Sequence, residues 1–176
     1  MDTNKKYNVI YADPPWSFKT YSDKGKDRSP EKHYSVMSFK DICNMPVGNI
    51  ARDNSVLLMW TIDPLLHKAF EVIKAWGFTY KTVAFTWAKL NKTKPGFFTG
   101  LGYWTRGNPE MCLLATKGRP KRKSKSVNQL IISQRQRHSE KPLIHKDIED
   151  LVDGPYIELF ARKKPRDGWD YWGNEV

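Results

Sequence analysis

Asp13, Pro14, Pro15 and Trp16 form a stretch whose acceptor groups could hold an amino group. An exocyclic aromatic amine is a poor nucleophile because its lone pair is delocalised into the ring. A carboxylate from Asp13 and a carbonyl from Pro14 that both accept from the NH2 would favour a tetrahedral, more nucleophilic nitrogen. Two successive prolines fix φ and remove two N–H donors, so the turn is stiff and its carbonyls keep their direction. Trp16 adds a flat face on which a base could stack, worth about 1–3 kcal/mol.

The same four residues also fit a simpler interpretation, a turn that only ends a strand, because Asp and Pro are common turn residues. The apolar run Tyr7–Ala12 directly before them predicts a buried strand. In open α/β sheets, ligands bind where the strands reach their carboxyl ends. This context favours a ligand site at Asp13.

Composition and charge limit the classes of protein to consider. The chain has 176 residues, 39% of them hydrophobic, which predicts one soluble domain with no membrane span and no signal peptide. Cys43 and Cys112 lie far apart, which predicts a reduced cytoplasmic protein without a metal site. The net charge of +11 indicates an anionic partner, nucleic acid before membrane, although a merely basic soluble protein would share it.

The remaining elements alternate between short apolar runs and helical periodicity. Helices are predicted after Ser38 up to about Pro46, from Asp63-Pro64 to Gly77, and over an apolar stripe from Leu143 to Val152. The polar segment 17–34 is predicted to be a loop that closes over a ligand beside Asp13, or else an ordinary solvated loop. Further strands are predicted over Ser55–Thr61, Phe78–Leu90, Pro109–Thr116 and Tyr156–Ala161.

Two segments could contact nucleic acid. The Gly-rich loop 91–107 offers Tyr103, Trp104 and Arg106 as contacts for a nucleotide, unless its aromatic side chains fold back as a small satellite core. The basic segment that follows is predicted to contact phosphates beside the site loops, unless it is only a solvated face. Its candidate residues are Lys121, Arg122, Lys123, Lys125, Arg135 and Arg137.

The early motif and several later stretches together resemble one family. The chain is similar to the MT-A70-like adenine N6-methyltransferases of bacterial or phage type, which use S-adenosylmethionine. The resemblance implies an α/β fold, a single Rossmann-like methyltransferase domain over 1–176, with a mixed sheet and helices on both faces. It also implies a permuted order, with the Asp-Pro-Pro-Trp strand first and the cofactor strand last. The stretches that carry the resemblance besides Asp13–Trp16 are Trp87–Lys92, Tyr103–Gly118, His138–Pro142, Ile157–Arg162 and Gly168–Glu175.

The resemblance also implies roles for individual residues. Lys141 would pair with the carboxylate of the cofactor, and Glu158 and Arg162 would hold its ribose side. Alternatively, Lys141 is a surface lysine and Glu158 a structural acid paired with Arg162. The segment Lys163–Pro165 departs from the eukaryotic pattern, where a His-Asn pair contacts the ribose. The catalytic set is Asp13, Pro14, Pro15 and Trp16, and the cofactor set is Asp13, Lys141, Glu158, Leu159, Phe160, Arg162, Asn174 and Glu175.

The activity implied is methyl transfer from S-adenosyl-L-methionine to the exocyclic amine of adenine in nucleic acid, without a metal. DNA is favoured over RNA because the chain is compact and has no added RNA-binding module. A homodimer is plausible, since some relatives pair with a homologous subunit. The alternatives are an RNA adenine methyltransferase, a protein glutamine amide methyltransferase and a catalytically silent nucleic-acid-binding subunit.

Overall fold

A seven-stranded mixed sheet forms the centre of the computed structural model, which describes residues 4–17, 37–135 and 140–173. Its strands are β1 Tyr7–Ala12, β2 Ala51–Thr61, β3 Thr79–Leu90, β4 Glu110–Lys117, β5 Leu130–Gln134, β6 Tyr156–Leu159 and β7 Trp169–Trp172. The helices are α1 Phe39–Asn44, α2 Val47–Ile50, α3 Leu66–Ala75 and α4 His145–Leu151.

The strands lie in the order β5-β3-β4-β2-β1-β6-β7. β1 is parallel to its neighbours β2 and β6, while β4 is antiparallel to both β2 and β3. β3–β5 and β6–β7 are parallel pairs, so β4 alone in this sheet runs in the opposite direction. The predicted mixed sheet and permuted strand order are confirmed, as is the antiparallel pairing of β3 with β4.

Helices cover both faces of the sheet, as predicted. On one face, Ile42, Val72 and Trp76 from α1, α3 and the turn after α3 pack with Ile10 and Met59 of the central strands. On the other face, residues of α4 and its flanks pack with the alternate positions of the same strands. Each central strand is therefore buried on both sides, which is why these strands read as continuous apolar runs in the sequence.

Helix ends agree with the sequence in part. The Ser38 side chain accepts from the main-chain N–H of Asp41, so Ser38 is the predicted N-cap of α1. Gly77 has φ +81°, a conformation that suits glycine at a helix end. Asp63 was predicted to be the N-cap of α3, but it begins a separate 3-10 turn, and α3 starts at Leu66 without a side-chain cap.

Other differences concern edge elements and boundaries. β2 begins at Ala51, four residues before its predicted start at Ser55. α4 begins at His145, so Leu143 lies before the helix. Its side chain is 85% exposed and is not part of an apolar stripe. β5 and β7 were not predicted as strands. Both lie at the edges of the sheet, where one side has no neighbouring strand and fewer apolar side chains are needed. Ile132 of β5, for example, is 52% exposed.

Candidate active site

The direction of β4 brings an acid to the same sheet edge as Asp13. The carboxyl ends of β1, β2, β3 and β6 meet at one edge because these strands are parallel. β4 runs the other way, so its first residue, Glu110, lies at that edge too. We call this the catalytic edge.

Asp13 is held at the catalytic edge by its main chain and faces two cations. Its N–H donates to the carbonyl of Leu159 at 3.5 Å, which ties the motif to the end of β6. Its carboxylate lies 3.4 Å from Lys141 Nζ and 3.8 Å from Arg162 Nη2. The structure therefore brings together three of the predicted site residues from the start and the end of the chain.

Glu110 and Lys89 belong to the same cluster, and neither was predicted from the sequence as a site residue. Glu110 lies between two ammonium groups, with one carboxylate oxygen 2.5 Å from Lys89 Nζ and the other 2.5 Å from Lys141 Nζ. The side chains of Glu110 and Lys141 are only 10% and 12% exposed. The available signal was an acid at the first position of an apolar strand, directly after Asn108-Pro109.

The pKa values of the cluster reflect burial and mutual pairing. Burial raises the pKa of Asp13, although Lys141 and Arg162 oppose this shift. Burial also acts to raise the pKa of Glu110, but Lys141 and Lys89 outweigh it and hold that pKa below its usual value. For Lys141, burial lowers the pKa, and the carboxylates of Asp13 and Glu110 outweigh burial, so the pKa is raised. Lys141 thus stays charged beside Asp13.

The turn after Asp13 is fixed by hydrogen bonds. The Pro14 carbonyl accepts from the N–H of Trp16 at 2.8 Å, and a carbonyl oxygen has a second lone pair. The Trp16 indole N–H donates to the carbonyl of Trp60 at 3.1 Å, and Trp16 is 6% exposed. Trp16 therefore anchors the turn, and base stacking on it stays a prediction. The Pro15 carbonyl accepts from the main chain of Met37.

Glu158 lies one strand away from Asp13 and contacts a residue that the sequence analysis did not assign. Its carboxylate lies 2.7 Å from His145 Nε2, at the start of α4. The His145 ring also meets the ring of Tyr11 edge-on at 5.5 Å. The alternative interpretation paired Glu158 with Arg162, whereas among the described contacts Glu158 pairs with His145 and Arg162 lies near Asp13.

The two residues after Glu158 complete the end of β6. Leu159 is fully buried and pairs with Ala12 of β1. Phe160 has φ +63°, and its ring meets Trp172 edge-on at 5.6 Å. The positive φ of Phe160 changes the direction of the chain after β6, and Arg162 then lies at the catalytic edge.

The loop between β3 and β4 exposes aromatic side chains beside the same edge. Trp104 is fully exposed with φ +64°, Tyr103 is 44% exposed, and Arg106 is exposed. A depression of about 620 Å³ lies between the segment 91–99 and Arg135. The alternative of a satellite core therefore does not apply to Trp104.

The structure places the basic run elsewhere than predicted. Lys121, Arg122, Lys123 and Lys125 follow the carboxyl end of β4, which lies at the sheet edge opposite Asp13. The main-chain N–H of Lys123 donates to the carbonyl of Leu151 at the end of α4. The expectation that this run adjoins the site loops is wrong, because β4 is antiparallel to its neighbours.

Some predicted features lie outside the described residues. These are Asn174, Glu175 and Arg137, together with most of the loop predicted over 17–34. Among the residues that the structure describes, no group of three or more His, Cys, Asp or Glu side chains could hold a metal ion. Within those same ranges, no helix is long and apolar enough to cross a membrane.

Comparison with known proteins decides the family. The sequence matches the MT-A70 family over residues 7–175. The chain belongs to the MT-A70 family. This MT-A70 protein is 34% identical to the Type II methyltransferase M.MunI of Mycoplasma sp, over 98% of its own length and 78% of that relative. Identity is 28% to the human N(6)-adenine-specific methyltransferase METTL4 and 28% to the human N(6)-adenosine-methyltransferase catalytic subunit METTL3.

Coverage differs between these relatives. The MT-A70 chain spans 39% of METTL4 and 28% of METTL3, with 100% and 97% of its own length aligned. Membership confirms the predicted family, the Rossmann-like α/β fold and the prediction of an S-adenosylmethionine-dependent adenine N6-methyltransferase. It leaves the roles of individual site residues as predictions.

Proposed function

We propose that this MT-A70 protein transfers a methyl group from S-adenosylmethionine to N6 of adenine in DNA. The observation that supports this most directly is the Asp13 carboxylate between Lys141 and Arg162 at the catalytic edge. This places an acceptor for an amino group among charged groups that suit a zwitterionic cofactor. The similarity to M.MunI, a Type II methyltransferase, exceeds that to the adenosine methyltransferases and supports DNA over RNA.

The side chains at the catalytic edge fit the chemistry of S-adenosylmethionine. The cofactor has an ammonium, a carboxylate and two ribose hydroxyls, and its sulfonium supplies an electrophilic methyl group when it is bound. Asp13 has the charge to receive the ammonium, and Lys141 the charge to receive the carboxylate. The Glu158 side chain is 18% exposed, and its carboxylate can accept hydrogen bonds from ribose hydroxyls. Leu159, Phe160 and Arg162 follow it along the chain, and Asn174 and Glu175 are proposed to close the adenosine pocket.

Asp13 and Pro14 hold the target amine in this proposal. The Asp13 carboxylate and the second lone pair of the Pro14 carbonyl would each accept one N–H of the amino group. Both bonds would draw the nitrogen toward a tetrahedral shape, and the stiff turn would fix its orientation. Bound S-adenosylmethionine would supply the methyl group that replaces one proton of the amine, and the Asp13 carboxylate would accept that proton. Lys141 and Arg162 favour the charged carboxylate that this requires.

Mass spectrometry of nucleosides tests the proposal. DNA and RNA of matched sequence are incubated with the protein and isotopically labelled S-adenosylmethionine, then digested and analysed. We expect labelled N6-methyladenine from DNA. Label in RNA alone would reassign the substrate, and label in methylglutamine of an added protein would replace the proposal with amide methylation. No label with any substrate would support a silent binding subunit.

Trp104 is the exposed aromatic best placed to stack on a base near the site. Stacking on an aromatic side chain is worth about 1–3 kcal/mol. We expect Trp104→Ala to weaken binding of a single-stranded oligonucleotide by about five- to a hundredfold. Fluorescence anisotropy measures this, with Leu101→Ala, an exposed apolar position in the same loop, as the control. Equal losses in both variants would show a general effect on the loop.

Further proposals concern nucleic-acid contacts, the oligomeric state and the location of the protein. Tyr103, Arg106 and Arg135 are proposed to contact nucleic acid at the catalytic edge. Arg135 lies over the ring of Phe98 at 4.2 Å, next to the depression beside the loop. A homodimer and a cytoplasmic location stay predictions.

A further inference from the structure

A second depression lies at the opposite end of the sheet from Asp13. It has a volume of about 950 Å³ and lies where β1 and β2 begin and where β4 ends. β1 has six residues, which span about 20 Å at roughly 3.3 Å per residue. We call this depression the amino-edge groove, and it is separate from the catalytic edge.

Cations dominate the described lining of the amino-edge groove. Lys5, Lys6, Arg52 and Lys117 line it, against one acid, Asp53. Lys5 forms an ion pair with an aspartate of β7, at 2.5 Å. The other three cations form no ion pair with an acid among the residues that the structure describes.

Lys6, Arg52 and Lys117 contact only neutral groups in the part of the chain that the structure describes. Lys6 and Lys117 donate to main-chain carbonyls of α2, the latter at 3.3 Å. Arg52 donates to the side-chain oxygen of Asn8 at 3.3 Å. A neutral acceptor orients a cation without cancelling its charge. Three oriented positive charges thus remain available to an anionic ligand.

The rim of the groove is formed by an irregular segment of β2. Tyr7 and Val9, two residues apart on β1, pair with Ala51 and Val56, five residues apart on β2. The extra residues bulge outward and carry Arg52 at their start. The fully buried Ser55 hydroxyl donates to the Arg52 carbonyl at 2.8 Å and closes the bulge.

The bulge is also tied to the chain that leaves β4. Asn54 accepts from the main-chain N–H of Arg119 at 2.7 Å. Gly118 has φ +62°, and a Cβ there would lie 2.2 Å from the Asp53 carbonyl, so only glycine lets the two segments approach this closely. Close contacts between these segments therefore preform the groove.

The groove continues into the basic run. Arg119 begins this run beside Asn54, and no Asp or Glu occurs between Lys117 and Ser139. Lys123 is neutralised by an aspartate at the end of α4, at 3.1 Å. The exposed cations of the run that have no such partner among the described residues are Arg119, Lys121, Arg122 and Lys125. The positive surface therefore extends well beyond the groove.

We propose that the amino-edge groove binds the phosphodiester backbone of nucleic acid outside the target base. Lysine and arginine are the side chains that contact phosphates, and a track of several cations matches a polymer with regularly spaced charges. The nucleic-acid substrate itself rests on the proposed function. With the groove contact, the protein holds flanking phosphates at one edge of the sheet while it holds the base at the other.

The test is the salt dependence of binding by the triple variant Lys6→Gln, Arg52→Gln, Lys117→Gln. Binding of an oligonucleotide of 24 nucleotides is measured by anisotropy at several salt concentrations without methyl donor. Each lost phosphate contact lowers the slope of log K against log salt by about 0.7–0.9, so we expect a decrease of about 2–3. Methyl transfer at saturating oligonucleotide should keep its kcat, because none of the three residues lies at the catalytic edge.

The control variant Lys40→Gln, Lys81→Gln, Lys146→Gln removes the same charge from three exposed lysines on separate elements. Equal slopes in both triple variants would overturn the proposal. The proposal would also be overturned if the triple variant no longer bound inorganic phosphate in a calorimetric titration but kept the wild-type salt dependence of oligonucleotide binding. If the triple variant does not fold, Arg52→Gln alone should lower the slope by about 1. Absence of methyladenine would contradict the proposed function and leave this binding result unaffected.

Discussion

Replacing Asp13 with alanine is expected to reduce methyl transfer by at least about a hundred- to a thousandfold, the effect of removing one preorganised polar group from an active site. The Asp13 carboxylate contacts both Lys141 and Arg162, and in the proposal Pro14 supplies only the second acceptor. The measurement is the rate of label transfer at saturating S-adenosylmethionine and oligonucleotide. A wild-type rate in Asp13→Ala would refute the assigned role.

Two further variants separate chemistry from folding. Asp13→Asn keeps the shape but loses the negative charge, so its rate should also fall. Asp167→Ala, at an exposed turn, should leave both rate and melting temperature unchanged. If Asp13→Asn retained full activity, the carboxylate would serve only as a hydrogen-bond acceptor, and proton acceptance by Asp13 would be excluded.

Glu110→Gln is expected to destabilise the protein by about 3–5 kcal/mol, since it leaves two buried ammonium groups without their shared carboxylate. Lys89 and Lys141 both lie 2.5 Å from Glu110, and Asp13 alone would remain near Lys141. Urea unfolding at neutral pH measures the free energy of unfolding. The double variant Glu110→Gln, Lys89→Met removes one of the two unpaired cations and should recover part of the loss.

At low pH, the difference in unfolding free energy between the wild type and Glu110→Gln should disappear. The pKa of Glu110 is lower in the folded state than its ordinary value of about 4.3. Its stabilising contribution is therefore complete above that value and is lost as the pH falls through the lower folded pKa. Unfolding free energies of wild type and Glu110→Gln should converge in that range. A difference that stays constant with pH would show that the carboxylate charge is not the cause.

The sequence predicted the buried parts of the fold best. Tyr7–Ala12 and Ser55–Thr61 are short, largely apolar runs, and both lie within buried stretches of strands. β5 and β7 were missed because a strand at the edge of a sheet needs little apolar surface. The start of α4 was placed too early because Leu143 continues the apolar pattern, although its side chain is exposed.

The site was predictable where chemistry and family motifs coincide. Asp13 and Lys141 were selected from the sequence, and they lie 3.4 Å apart. Glu110 and Lys89 were missed because their importance comes from a pairing between β3, β4 and the segment before α4, which local sequence does not report. The predicted position of Lys121 beside the site loops was wrong for a related reason. Its location depends on the direction of β4, and only the assembled sheet reveals that direction.

The order of strands has a consequence for synthesis of the protein. β1 is translated before the other six strands of the sheet, yet one of its two neighbours, β6, comes from residues Tyr156–Leu159. Such non-local pairing makes folding slow relative to chains with local contacts. Asp13 can meet Lys141 and Arg162 only after translation has passed Arg162. A nascent chain shorter than this therefore lacks the assembled charge cluster around Asp13.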